Sequence, residues 1–394
     1  MQKKVSIIMI SHNKYPQNLY SLYALQKQTF DLRKMEVILV DDASSDLTPK
    51  LSKYRPPFKF QYIRCNENVG RSKAKNIGIE ASTGEVLIFI DAEMILDPGY
   101  VEQHYNLHQL DHNLVITGCL SHYNTFTVYD KRYNPEQKKL FRSLYYKKNK
   151  RIFKLSRQYR KKLKVRLFKK ASIFQGRYKK YAYPSPFFSH IIERFGPRYE
   201  GYKLPYIFVI THNISVRREI LETAGYFDEG FQGWGCEDWE FGYRLHKLGV
   251  KIVDHPMVKV YHQEHPRSMT HQNKDSLINY RYFYTLHPEF DVGVQALCWI
   301  GKNLLEVNDY VLEYETLHQN FPGMFRRIAE ACHIMFMNIF QLLIQDMPVA
   351  NLRQYSDRMQ DEQWYLELIH EISNIPKSGQ YDRLNEMMVW LINK

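Results

Sequence analysis

The 394-residue chain has little of what marks several large protein classes. It has five cysteines, Cys65, Cys119, Cys236, Cys298 and Cys332, and no CxxC pair. A cysteine-built zinc site and a disulfide framework are therefore not expected. There is no GxGxxG and no GxxxxGKS/T, so neither a dinucleotide fingerprint nor a P-loop is supported. No apolar run approaches the roughly 20 residues of a membrane span. The N-terminal apolar run, Val5 to Ile10, leads into polar residues and reads as a buried first strand, too short for a signal-peptide core. Without a signal, a cytoplasmic location with reduced thiols is expected. No internal repeat or low-complexity tract stands out. Acidic residues are nearly missing from one segment: Lys131 to Lys180 holds 21 Lys or Arg and one acid, Glu136. That segment carries +20 of a net +13, leaving −7 elsewhere, so the basicity is a local device.

What is present is enough for a large folded domain: 44% of residues are hydrophobic and 25% charged. The first hundred residues alternate two patterns. Val5–Ile10, Met35–Val40, Phe60–Arg64 and Val86–Ile90 read as strands. Leu19–Gln28 and Arg71–Ser82 read as helices. Such alternation predicts an α/β fold with a mostly parallel sheet, whose ligands bind beyond the carboxyl ends of the strands. The polar clusters fall at those ends. In the basic segment, Leu144, Ile152, Leu155, Tyr159, Leu163 and Leu167 recur mostly at helical spacing and predict a long amphipathic helix. From about Asp275 the chain reads as helical, near 293–317, 323–346 and 361–392. The expected division is 1–270, with a basic and aromatic insertion at 131–200, followed by a helical accessory region at 271–394.

Four clusters carry chemistry. Asp91-Ala92-Glu93 closes a strand, and two carboxylates so spaced can share one hard divalent ion with a diphosphate. Taken alone, such a triplet is common in solvated turns. Gly233-Trp234-Gly235-Cys236-Glu237-Asp238 opens a helix that Gly249 would stop; anions are stabilised there, and a carboxylate can take a proton from a sugar hydroxyl. Val260-Tyr261-His262-Gln263-Glu264-His265 offers His262 as a third ligand beside two carboxylates. Asn66-Glu67-Asn68-Val69-Gly70-Arg71, leading to Lys75-Asn76, is a glycine loop opening a basic helix, suited to phosphate.

Taken together and in this order, these segments resemble the family 2 glycosyltransferases of the GT-A fold, over roughly residues 4–110 and 205–268. VSIIMISHNK is similar to that family's first strand and nucleotide loop, VILVDDASSD to its second strand, and NENVGRSKAKNIGIEASTGEVLIFIDAE to its longest signature. GWGCEDWEFGYRLHKLG and YHQEHP resemble the acceptor and catalytic half of galactosyl and N-acetylhexosaminyl transferases and chondroitin-type polymerases. The resemblance implies a Rossmann-like nucleotide-sugar domain and these roles. His12 lies against the uracil. Asp42, supported by Asp41, accepts from the base. Asn68, Gly70, Arg71 and Asn76 shape the nucleotide pocket. Asp91 and Glu93 meet the ribose, diphosphate and metal. Glu237 binds acceptor hydroxyls, Asp238 is the base, and His262 completes the metal shell. Trp234 is either an acceptor wall or a core residue. Two positions depart from the family pattern: DAE stands for DxD, and Ala74-Lys75-Asn76 stands for ARN, where Lys loses a bidentate phosphate grip.

The expected activity is inverting, Mn²⁺- or Mg²⁺-dependent transfer of a hexose or N-acetylhexosamine from a UDP-sugar to a saccharide or cell-envelope polymer. A nucleotidyltransferase would not need the Gly-Trp-Gly-Cys-Glu-Asp segment. A non-catalytic scaffold binding polysaccharide or coat components is the alternative, favoured by the altered DAE. The basic segment has three readings: an anionic membrane surface, which would place the protein peripherally on the inner face, an anionic acceptor, or a solvated helix. Nucleic acid is not expected, because no nucleic-acid-binding fold accompanies the charge. The C-terminal helices offer either a helical core or a homodimer face.

Overall fold

The computed structural model describes residues 3–146, 163–266 and 269–394. The described chain forms two compact units. The first comprises Met1–Glu200, Pro205–Gly233 and Glu237–Met269; the second comprises Gly201–Leu204, Trp234–Cys236 and Thr270–Lys394.

The first unit is built on a seven-stranded sheet. Its first four strands are β1 (Val5–Ser11), β2 (Met35–Asp41), β3 (Lys59–Arg64) and β4 (Val86–Asp91). β1 lies parallel between β2 and β4, and β3 is parallel to β2. β1, β2 and β4 are almost continuously buried, as strands covered on both faces must be. β5 (Met94–Leu96) follows at once. β6 (Leu114–Thr117), β7 (His122–Thr125), β8 (Val128–Asp130), β9 (Lys164–Arg166), β10 (Tyr183–Pro184), β11 (Asn213–Arg217), β12 (Lys251–Asp254) and β13 (Val260–Gln263) complete the strands. The large sheet runs β12-β6-β11-β4-β1-β2-β3, with β11 antiparallel to β4 and β6. A four-stranded sheet runs β10-β7-β13-β5, and β8 pairs with β9. The mixed, mostly parallel sheet is the architecture the alternating pattern predicts.

Register positions the site. Ser11 pairs with Asp41, and Ile10 with Asp91, so the chain leaves three parallel strands at one edge. The helix Arg71–Glu80 packs on this sheet at close range: a Cβ on Gly78 would meet Ile8 Cγ2 at 2.6 Å. Gly70 precedes that helix with φ +85°, a conformation that favours glycine. β5 solves a long-range problem. It pairs antiparallel with β13, His262 opposite Met94, so Glu93 is carried to residues 170 positions away. The Gln263 amide closes the join by donating to Glu93 O at 3.2 Å.

The basic segment departs from expectation. A helix spans Pro135–Tyr146, but Leu163 and Leu167 flank β9 and lie on no long helix. Asp130 pairs with Lys164 and Val128 with Arg166, so backbone ladder bonds outweigh the helical spacing there. Ile152, Leu155 and Tyr159 lie outside the described residues. His262 likewise lies on a strand of its own, β13, beyond a turn after β12.

The second unit is helical: Met269–Leu286, Leu304–Asn320, Arg326–Ile344, Glu362–Ser373 and Asp382–Ile392. Gly301, at φ +105°, and an Asn303/Glu306 capping box divide the first stretch that the sequence reads as one helix. The last expected helix is likewise two. Arg326–Ile344 is, among the described residues, long and apolar enough to cross a membrane, where the sequence reading expected none. Ala331, Met335, Phe336, Ile339 and Phe340 on it are buried within the unit, which is how the core helix of a packed bundle behaves.

Candidate active site

A pocket of about 260 Å³ opens at the carboxyl ends of β1, β2 and β4. His12, Asp42, Asn68, Gly70, Arg71 and Asp91 line it, together with Lys14, Lys75 and Glu93. At its mouth, His12 Nδ1 lies 2.5 Å from Asp42 O and 3.3 Å from Asn68 Nδ2. Asp42 is buried and accepts from the Val69 amide at 2.6 Å, which ties β2 to the glycine loop.

Two expected pocket residues are elsewhere. Asp41 is fully buried and does not line the pocket. It accepts from the Ser44 amide at 2.9 Å, from Arg64 Nη1 at 2.8 Å and from the Tyr62 hydroxyl. Burial and the Asp41 hydrogen bond push the Tyr62 phenol up to about 12. Asn76 also points away. Its side chain donates to Phe227 O at 2.8 Å and Glu229 Oε1 at 2.9 Å and accepts from the Phe227 amide at 3.0 Å. Its helix face, one residue from Lys75, turns it toward the Phe227 loop.

At the floor, the carboxylates separate by environment. Burial and the charge of Glu93 push Asp91 up to about 6, against the pull of Arg71 and Lys14. Glu93 is 3% exposed, and burial raises its pKa; the charges of Lys14, His265 and His262 overcome this and hold it well below the usual range. Its Oε1 lies 3.0 Å from His265 Nε2 and 3.9 Å from His262 Nε2, and the Lys14 ammonium touches it. Desolvation draws the Arg71 pKa down, and Glu237, Asp91, Asp238 and Glu93 more than offset it.

Glu93, His262 and His265 form the metal-capable group among the described residues, their donor atoms within 4.8 Å of one another. One carboxylate oxygen and two imidazole nitrogens suit a borderline divalent ion, and this spread fits one face of a shared coordination sphere. Asp91 lines the pocket but is not one of the three. His265, three residues after His262, joins the metal-capable group, where the sequence reading names Asp91. The His-x-x-His spacing was its signal in the sequence, and Lys14 had none beyond its place after the first strand.

Behind the pocket stands a second charged group. Asp238 and Glu237 begin the helix Glu237–Lys247, and neither lines the pocket. Lys75, 5% exposed, reaches Asp238 Oδ1 at 2.5 Å and Glu237 Oε1 at 3.1 Å, and lies 4.7 Å from the Phe227 ring centre. Burial lowers the Lys75 pKa, but Asp238 and Glu237 raise it further. The Thr211 amide donates to Asp238 Oδ2 at 2.9 Å, and its hydroxyl to Oδ1 at 2.8 Å. Three donors thus meet a carboxylate with about four acceptor sites. Sequence reading missed Thr211, which sits 27 residues upstream with no pattern to mark it. Trp234 belongs to the second unit, where its ring is 40% exposed and its amide lies 3.3 Å from Asp275 Oδ2.

Residues 6–181 match the glycosyl transferase family 2 model, and residues 193–271 match a model described as the N-terminal domain of galactosyltransferase. An uncharacterized glycosyltransferase, YfnE of Bacillus subtilis, is 30% identical over 269 residues, 67% of this chain and 65% of that protein. Hyaluronan synthase of Pasteurella multocida is 25% identical over 70% of this chain and 25% of its own. The chain thus spans just under two thirds of the first relative and a quarter of the second. A crystal structure of S. aureus TarS 1-349 in complex with UDP-GlcNAc matches with a TM-score of 0.47 and 14% identity, over 98% of this chain and 90% of that one.

Proposed function

We propose that this chain, whose residues 6–181 match the glycosyl transferase family 2 model and whose residues 193–271 match the galactosyltransferase model, transfers a hexose or N-acetylhexosamine from a UDP-sugar to a saccharide or polymer hydroxyl, with inversion. One observation carries the reading: a single strand-end pocket is lined by His12, Asp42, Asn68 and Arg71 and by Glu93, the carboxylate of the metal-capable group.

His12 and Asp42 face the nucleobase. Arg71 and the amides around Gly70 face the diphosphate. Glu93, His262 and His265 would hold a divalent ion. When bound, Mn²⁺ or Mg²⁺ supplies charge neutralisation for the leaving UDP. Asp91, with its raised pKa, accepts from or donates to a ribose or sugar hydroxyl. Asp238 takes the proton of the attacking hydroxyl on its remaining acceptor site, and Glu237 orients that acceptor. A single in-line displacement inverts the anomeric centre.

A panel of UDP-sugars assayed for UDP release with Mn²⁺ or Mg²⁺ tests this directly. At least one donor is expected to be consumed only when metal is present. No release from any donor, with UDP still bound, would favour a scaffold over an enzyme.

A further inference from the structure

We propose that the basic face built by β9 and the helix Pro135–Tyr146 binds a polyanionic acceptor chain and leads it to the nucleotide-sugar pocket. The inference rests on the glycosyltransferase reading above and names its acceptor class.

Two of the cations are fastened to the pocket's own chain. Lys164 Nζ donates to Tyr15 O at 3.1 Å. Arg166 donates to the Tyr15 hydroxyl at 2.6 Å, and its guanidinium lies 5.1 Å from that ring's centre. Tyr15 follows Lys14, which lines the pocket and touches Glu93. The helix side of the insertion is fastened to the metal-capable group as well. Gln137 Nε2 donates to His265 O at 2.9 Å, and the Tyr133 hydroxyl to Glu264 O at 2.9 Å. Among the described residues, this face is therefore bonded directly to the chain segments that carry Lys14 and His265.

The charge is extended. Lys139 and Arg142 are exposed one turn apart on the helix Pro135–Tyr146, and Arg166 and Lys169 are exposed on and just after β9. Several exposed cations on two elements suit a repeating anion better than a single phosphate or carboxylate. Burial lowers the Lys164 pKa; Asp46 and Asp130 oppose this, and Arg132 and Lys14 add to it.

The described residues of this region are poorly equipped for a bilayer. An interfacial helix must offer its apolar face to lipid. Here Tyr133, Phe141, Tyr145, Phe168 and Ile173 are buried in a cluster with Phe126 and Tyr261, and Leu140 and Leu144 pack against it. Leu163 is the large apolar side chain of the described segment left exposed, at 52%. One such side chain adds little lipid affinity.

The test is fluorescence anisotropy on the full chain with labelled inorganic polyphosphate, labelled polyglucuronate and neutral dextran. Wild type is expected to bind at least one polyanion, more weakly at high salt, and not dextran; preference between the two separates a phosphate-linked from a carboxylate-bearing chain. Lys164→Gln with Arg166→Gln should weaken binding about tenfold, while Lys50→Gln with Lys53→Gln, on a separate surface turn, should not. A UDP–Mn²⁺ thermal shift, measured alongside, is expected to persist in both pairs. If the first pair does not fold, Lys139→Gln with Arg142→Gln, on the exposed helix face, replaces it with the same expectation. Binding of neither polyanion, equal losses in both pairs, or binding to phosphatidylglycerol vesicles without polyanion binding would overturn the proposal. Absence of the UDP shift in wild type, with polyanion binding intact, would instead sink the glycosyltransferase reading.

Discussion

Two sets of ion pairs in this molecule use the same chemistry and differ in burial. In the first unit, Lys75 joins Glu237 and Asp238 with side chains 5–15% exposed. In the second, Arg327 joins Glu330 and Glu367, and Arg358 joins Glu330, with side chains 27–59% exposed. The exposed pairs are screened and hold long side chains at an entropic cost, so they contribute little. The buried group is costly to desolvate and would be poor material for stability alone. Its persistence in the first unit fits a site whose charges serve a reaction. Burial, more than the mere presence of an ion pair, is what sets this group apart.

Predictions can break or sharpen this contrast. The largest effect is expected from Asp238→Asn: turnover should fall by about 10²- to 10⁴-fold, with UDP affinity kept. Near wild-type turnover would remove Asp238 from the base role. Next is Lys75→Met, which leaves two buried carboxylates facing each other. A loss of about 3 kcal/mol in denaturant unfolding is expected, together with a fall in kcat greater than any rise in KM. Unchanged stability would mean that the buried group is not coupled as drawn. His265→Ala should weaken Mn²⁺ binding about 10- to 100-fold, read by calorimetry in the presence of UDP. An unchanged titration would take His265 out of the metal group. At the small end, Arg327→Gln should leave the melting temperature within error of wild type. A clear drop would show that exposure does not discount a pair in this protein.

A buried network without charge supplies a pH-dependent counterpart. His104 Nδ1 and His108 Nε2 both meet the Ser215 hydroxyl, at 2.6 and 2.8 Å, and both rings are fully buried. Burial holds His104 well below its ordinary range and His108 down to about 4. In the unfolded chain both protonate near pH 6.5. Between that pH and about 4 the unfolded state therefore binds more protons, so stability contributed by the neutral pair is full above pH 6.5 and lost as pH falls. His104→Gln with His108→Gln should flatten the fall in unfolding free energy over this window. A slope equal to wild type would place the acid sensitivity elsewhere.

Much of the fold was legible because its cause is periodic. β1, β2 and β4 are nearly unbroken apolar runs of the length a buried parallel strand needs, and each ends in polar residues. His12 and Asp42 stand at that edge, and the pocket roles expected of them and of Asn68 came from the family resemblance. Long-range pairing was not legible. Only the β5–β13 register brings His265 to Glu93, and nothing local in the chain encodes it. Asn76 shows the opposite limit: it lies in the right segment, but the helix turns it to the Phe227 loop. The expected helix through Leu163 and Leu167 failed because pairing of β9 with β8 overrode a helical spacing of leucines.

The central claim is a metal-assisted nucleotide-sugar site floored by Glu93, His262 and His265. Calorimetric titration of UDP, with and without Mn²⁺, into wild type and Glu93→Gln tests it most directly. UDP is predicted to bind wild type more tightly when Mn²⁺ is present and to lose that gain in Glu93→Gln. Binding of UDP to wild type with the same affinity in the presence and absence of metal, or a metal gain that survives Glu93→Gln, would contradict it.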